Sequence, residues 1–308
     1  MATLLIEHPL FQRHLVPPGH PERPDRLGAV AEGLAGERFA GLVRRDPPLA
    51  DIDTIAMVHT DGDIDEIRGA VPESGIAQIE FDTFISAESF TVARHAVGAA
   101  VLAVDEVMGG GVANAFAAVR PPGHHAGADF YMGFCLFNNA AIAARYAQRA
   151  HGAERVAIVD WDVHHGNGTQ AIFWSDPTVL YCSTHQMPLY PGTGARSETG
   201  VGNVVNAPLA PGDGGAEFRT AFNESILPAM DAFAPDLIVV SCGFDAHERD
   251  PLASINLTDE DFAWATMAVM EIADRRCAGR IVSLLEGGYD LQAIAESTAA
   301  HVAALMNT

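Results

Sequence analysis

Six short runs of the chain are apolar without polar alternation: residues 3–7, 113–119, 155–159, 178–183, 237–242 and 280–285. Each is rich in Val, Ile, Leu or Ala. Such runs predict strands covered on both faces, as in a parallel sheet. Longer helical stretches lie between them. Residues 86–108 are rich in Ala and Val and stop at Gly109-Gly110-Gly111. Residues 138–150 end before Gly152, and residues 215–233 end before Pro235. Thr258 with Asp261 reads as a capping box, with Asp in place of the usual Glu, and opens a helix to about Cys277. A final helix spans about 291–306. Strands alternating with helices of this length predict an α/β fold: a central, mostly parallel sheet flanked by helices on both faces. No repeat or linker interrupts the pattern, so residues 1–308 are expected to form one domain. Two Gly/Pro-rich segments, 121–133 and 186–203, read as long loops. In open α/β sheets such loops gather at the carboxyl ends of strands, where ligands bind.

Composition narrows the picture. With 48% hydrophobic but only 7% aromatic residues, the core must be built from Ala, Val, Leu and Ile. The chain has 18 basic and 40 acidic residues, a formal charge of −22. Every basic residue is an arginine. The lack of lysine excludes a Schiff-base amine and a phosphate-binding loop that ends in Lys-Ser/Thr. The charge argues against a nucleic-acid partner, because phosphate affinity needs clustered cations. It suits a self-repelling surface and long-range attraction of basic substrates. The first residues lack a basic segment followed by an apolar one, so no signal peptide is expected. No apolar run reaches membrane-span length, so no membrane partner is expected. Cys135, Cys182, Cys242 and Cys277 form no CxxC pair and read as reduced core thiols. The expected location is the cytoplasm. A homo-oligomer stays open.

Four groups of residues carry chemistry, and each directly follows a predicted strand. The first is Asp160-Trp161-Asp162-Val163-His164-His165-Gly166-Asn167. Alternate residues of an extended segment share a face, so Asp160, Asp162 and His164 point one way. Carboxylate and imidazole together suit Zn²⁺, Mn²⁺ or Fe²⁺. The bland alternative, a charged helix-capping loop, is the weaker one, since so many ionisable groups are costly to bury without a metal or a hydrogen-bond network. The second is Asp245, which by itself would read as a turn or cap residue. Two carboxylates and one histidine make the three protein ligands usual in a catalytic metal site. The third is His124-His125, aimed by the rigid Pro121-Pro122-Gly123 turn. A neutral imidazole there is a suitable general base. The fourth is Tyr289, which follows Glu286-Gly287-Gly288. Its hydroxyl is a donor able to reach a developing oxyanion.

Together these segments resemble the zinc-dependent histone deacetylase family, in its class II-like and bacterial acetylpolyamine amidohydrolase-like branches. The residues that carry the resemblance are 120–126 (RPPGHHA), 160–170 (DWDVHHGNGTQ), 242–252 (CGFDAHERDPL) and 285–291 (LEGGYDL), supported by 20–24 (HPERP) and 133–139 (GFCLFNN). The resemblance implies a single-domain arginase-deacetylase-like fold. It also implies a hydrolase that removes acetyl or other acyl groups from lysine side chains or related amines. Asp162, His164 and Asp245 match the zinc ligands, with Fe²⁺ the alternative ion. His125 matches the general base and acid, and His124 its electrostatic helper. Asp160 and Asn167 match the residues that orient His124 and His125. Tyr289 matches the donor to the substrate carbonyl. Phe134 and Tyr190 match the aromatic walls of the acyl tunnel, and Leu252 sits where the polyamine-specific relative has glutamate. Asp160, Asp162, His164, Ser183 and Thr184 match a structural K⁺ or Na⁺ site built mostly from backbone carbonyls. Asp82 or Thr83 is expected at the tunnel mouth, holding the substrate backbone. The implied partner is a small-molecule or peptide acyl-amine.

Three rival functions remain open to such a sequence. An acetylpolyamine deacetylase is the first, and Leu252 counts moderately against it. A binuclear manganese hydrolase would need extra carboxylates, yet Gly166 and Gly243 stand two residues from His164 and Asp245. A non-catalytic acyl-amine binder would be expected to lack Tyr289 or a ligand.

Overall fold

The computed structural model describes residues 2–307. Its strands in chain order are β1 (Thr3–Ile6), β2 (Val43–Arg45), β3 (Ile76–Gln78), β4 (Phe84–Ser86) and β5 (Asn114–Ala117). They continue with β6 (Val156–Asp160), β7 (Val179–Ser183), β8 (Val204–Asn206), β9 (Leu237–Cys242) and β10 (Ile281–Leu285). Strands β3 and β4 form a separate antiparallel hairpin. The other eight form one sheet in the order β2-β1-β5-β10-β9-β6-β7-β8. All of its neighbouring pairs are parallel.

The six apolar runs are β1, β5, β6, β7, β9 and β10. Every residue of these strands is buried, as expected for a sheet covered on both sides. The edge strands β2 and β8 were not anticipated. Each has three residues, too few to make an apolar run, and β2 exposes Arg44 and Arg45. Short, charged edges discourage pairing with another chain.

Helices fill both faces. Helix Ser89–Met108 packs on Asn139–His151, and helix Leu291–Leu305 packs on Asp25–Gly33 and Asp259–Arg276. The last of these opens with the reciprocal Thr258–Asp261 cap. The stretch expected as one helix over 215–233 is broken. A π-turn, Phe222–Ile226, separates Gly215–Ala221 from Leu227–Phe233. Pro228 explains the break, because it has no N–H to return to the Glu224 carbonyl. The stretch expected as helix from residue 86 starts three residues later, because Ser86 is still paired in the hairpin. Among the described residues, no helix is long and apolar enough to cross a membrane.

Register places the chemistry. Asp160 at the end of β6 lies level with Ser183 of β7 and Ser241 of β9. Leu285 of β10 lies level with Cys242, and Leu284 with Ala117 of β5. The segments carrying His124, Asp162, Asp245 and Tyr289 therefore all leave the sheet from one rim.

Candidate active site

Asp162, His164 and Asp245 converge on that rim, each offering one ligand atom within 4.8 Å of the others. His164 Nδ1 lies 3.2 Å from Asp162 Oδ1 and 3.0 Å from Asp245 Oδ2. The outward carboxylate oxygens are held by backbone amides. Gly287 N donates to Asp162 Oδ2 at 2.8 Å, and Val163 N to Asp245 Oδ1 at 2.8 Å. Both carboxylates have no exposure at all. Burial and the neighbouring Asp162 charge push the Asp245 carboxyl above its ordinary range. Among the described residues, the ion-pair partners of Asp162 and Asp245 are histidines, not arginines. Two buried like charges facing one imidazole leave an electrostatic deficit that a divalent cation would fill. The oxygen and nitrogen donor set fits such an ion, with room for a fourth ligand.

The tandem histidines stand beside this cluster, their rings 4.0 Å apart. His124 Nδ1 is 3.0 Å from Asp160 Oδ2, which also accepts the Tyr181 hydroxyl at 3.0 Å. Burial opposes a charge on His124, but Asp162 and Asp160 outweigh it and push its pKa well above the ordinary value. His125 behaves oppositely. Burial, then repulsion from His124 and His164, pushes its pKa well below the ordinary value. Its Nδ1 meets Asn167 Oδ1 at 2.8 Å, which fixes the proton there and leaves Nε2 with a free lone pair. The two imidazoles are thus shifted in opposite directions.

A cavity of about 200 Å³ opens above the cluster, lined among others by His125, Phe134, His164, Tyr190, Leu252 and Tyr289. Tyr289 stands edge-on to Phe134 with centroids 5.9 Å apart, and Tyr190 edge-on to His125 at 5.3 Å. Burial, then the charges of Asp245 and Asp162, hold the Tyr289 phenol protonated. Asp82 and Thr83 support the wall. Asp82 Oδ1 accepts from Gly133 N at 2.9 Å, and Thr83 Oγ1 from Phe134 N at 3.1 Å. Of the two, only Asp82 lines the cavity, so Thr83 is not at the mouth. Ser183 and Thr184 continue β7 next to Asp160. Ser183 Oγ pairs with His185 Nδ1 at 2.9 Å, while Thr184 Oγ1 is buried without a partner among the described residues. A wider groove of about 700 Å³ between helices Asp25–Gly33 and Leu291–Leu305 holds no comparable convergence of ligand atoms.

Several residues escaped the reading of the sequence. Arg26 Nε donates to the Gly288 carbonyl at 2.6 Å, and its guanidinium lies 5.0 Å from the Tyr289 ring centroid. Asp250 Oδ2 accepts from Tyr289 N at 2.7 Å. Glu286 is fully buried against the His124 loop. Glu22, Asp250 and Glu286 lie in the 20–24, 242–252 and 285–291 segments, but nothing local pointed to their contacts, and Arg26 lies outside all of these segments.

Comparison with known proteins agrees with this geometry. Residues 20–305 match the histone deacetylase domain model. A probable deacetylase of Archaeoglobus fulgidus is 40% identical over 95% of this chain and 82% of its own length. A histone deacetylase-like amidohydrolase of Pseudomonas aeruginosa is 40% identical over 88% of this chain and 73% of its own. The crystal structure of the HDA15 HD domain superposes with a TM-score of 0.94 at 38% identity, covering 99% of this chain and 90% of that one.

Proposed function

Because the chain belongs to the histone deacetylase family, we propose that it removes acetyl or other small acyl groups from lysine side chains or related amines. It is a deacetylase, an amide hydrolase. One observation carries the site assignment: the buried Asp162–His164–Asp245 cluster reaches, through His164, a cavity also lined by His125 and Tyr289.

Asp162, His164 and Asp245 would hold Zn²⁺, with Fe²⁺ suiting the same donors. Such an ion supplies a Lewis acid that polarises the amide carbonyl and acidifies a water. The chain's own groups do the rest. His125 Nε2 takes the water's proton as the water attacks. Tyr289 donates its hydroxyl to the oxygen that becomes negative. Asn167 keeps His125 in the right tautomer, and Asp160 holds His124 cationic beside it. His125, or His124 in a competing scheme, then protonates the leaving amine. Phe134 and Tyr190 exclude water from a slender neck, and Leu252 keeps its rim apolar. That neck suits an uncharged methylene chain and favours acyl-lysine over acetylpolyamine. The backbone around Asp160, Asp162, His164, Ser183 and Thr184 would hold K⁺ or Na⁺, and the unpartnered Thr184 Oγ1 supports that reading. Four free, buried cysteines support the cytoplasm as the compartment.

The geometry speaks against a binuclear enzyme. A Cβ at Gly166 would meet Asp160 Oδ2 at 2.3 Å, and one at Gly243 would meet Asp162 Oδ2 at 2.2 Å. Neither position has room for a further carboxylate. The substrate is tested by comparing kcat/KM for acetyl-lysine peptides, acetylpolyamines and longer or aromatic acyl amides. The highest value is expected for an acyl-lysine peptide, with turnover abolished by a hydroxamate. A clear preference for acetylpolyamine would overturn the substrate assignment.

A further inference from the structure

Glu286 begins the turn that carries Tyr289, yet the mechanism above does not use it. Its side chain is fully buried. One carboxylate oxygen, Oε2, accepts from two successive amides of the tandem-histidine loop, Gly123 N at 2.7 Å and His124 N at 3.2 Å. The other, Oε1, accepts from Ser241 Oγ at 3.3 Å, on the strand that leads to Asp245. Its own backbone is fixed as well. Glu286 N donates to the Cys242 carbonyl at 3.1 Å, and the Glu286 carbonyl accepts from Arg26 at 2.5 Å. One side chain thus ties the ends of β5, β9 and β10.

We propose that Glu286 is a positioning residue: by clamping the Gly123 and His124 amides it sets the distance between the proton-transfer histidines and the Tyr289 hydroxyl. Two amides pointing at one oxygen form a small anion nest. Without an acceptor they would be buried donors with no partner, and the loop would shift to find one. The important property is reach rather than charge. Burial pushes the Glu286 carboxyl up to about 7 against the opposing charge of His124.

The inference rests on the deacetylase reading for its kinetic consequence but not for the clamp itself, so the test reads both. Glu286→Gln keeps the reach without the charge. Glu286→Asp keeps the charge without the reach, and Glu286→Ala keeps neither. In the metal-loaded enzyme, Asp and Ala are expected to lower kcat about 10²-fold, the scale of an ångström-level misplacement, with KM and metal content little changed. Gln is expected to recover kcat to within about threefold of the native enzyme, the pattern of an interaction felt only in the transition state. Amide hydrogen exchange at Gly123 and His124 should speed up in Asp and Ala and stay slow in Gln. Unchanged exchange in Ala would overturn the clamp, whatever the activity. Equal kcat losses in Gln and Asp would show that charge matters, and would overturn the positioning role. Absent turnover by the native enzyme would count against the deacetylase reading only, because the exchange result still decides the clamp.

Discussion

Two fully buried charged clusters sit near the same rim of the sheet, and they are built on opposite plans. Around Glu22 every buried charge has an opposite partner within the chain, one carboxylate being shared by two guanidiniums. Its carboxylate meets Arg26 Nη1 at 2.9 Å and Arg120 Nη2 at 2.7 Å. The leftover guanidinium donors go to the carbonyls of Phe11, His14, Gly288 and Glu286. Around Asp162 the charges do not cancel. Four buried carboxylates, Asp160, Asp162, Asp245 and Glu286, face histidines and backbone amides. The first cluster is complete when the chain folds, and it braces the Tyr289 turn. On the proposed reading the second is completed by an ion, which would relieve the repulsion between its bare carboxylates. Stability would then reside in one and function in the other.

Breaking the Glu22 cluster should have the largest effect on stability. Glu22→Gln leaves two buried guanidiniums without a counter-charge and is expected to cost about 3–5 kcal/mol in denaturant unfolding. A loss under about 1 kcal/mol would mean that Glu22 is not the keystone. Tyr289→Phe should do the reverse. It removes one oxyanion donor, so kcat should fall about 10²–10³-fold while metal content and unfolding midpoint hold. Near-native turnover would remove Tyr289 from its role.

A subtler test reverses the usual sign of a mutation. In chelator-stripped protein, Asp245→Asn relieves a buried like-charge contact, and unfolding should become harder by about 1–2 kcal/mol. The same variant should no longer gain stability when Zn²⁺ is added. A stripped variant less stable than the stripped native chain would refute the strained-site account.

At neutral pH the smallest effect concerns a third buried group that carries no charge. His301 is held neutral between Thr266 Oγ1 at 2.7 Å and Ser283 Oγ at 2.9 Å. Burial lowers its pKa from 6.5 to about 3. The unfolded chain binds that proton first, so its contribution is intact above pH 6.5 and is lost as pH falls toward about 3. The slope is about 1.4 kcal/mol per pH unit. His301→Gln should flatten the acid side of the stability profile by that amount. An unchanged slope would mean that His301 is already charged in the folded chain.

What the sequence revealed follows from where the signal is local. Central strands announce themselves because both faces are covered, so nearly every residue of β6 or β9 is apolar. Edge strands such as β2 have one neighbour and three residues, and Val43-Arg44-Arg45 looks like loop. The helix over 215–233 kept its apolar content but was divided by one missing N–H at Pro228. The metal-ligand candidates were legible because Asp162 and His164 lie two residues apart on one extended segment. The Asp160–His124 and Asn167–His125 pairings came only through family resemblance, since 36 and 42 residues separate the partners. Glu286, although it sits in a segment already singled out, gave no sign of its reach across 163 residues to Gly123. Arg120 opens the 120–126 segment and Arg26 lies in none of the segments singled out, and neither revealed its partner. Only the tertiary fold shows that both converge on Glu22.

The most direct test is a calorimetric titration of Zn²⁺ into chelator-stripped protein. The account predicts one tightly bound ion per chain, lost in Asp162→Ala and in Asp245→Ala and retained in Tyr289→Phe. Two tight ions per chain, or tight binding that survives loss of either carboxylate, would contradict it.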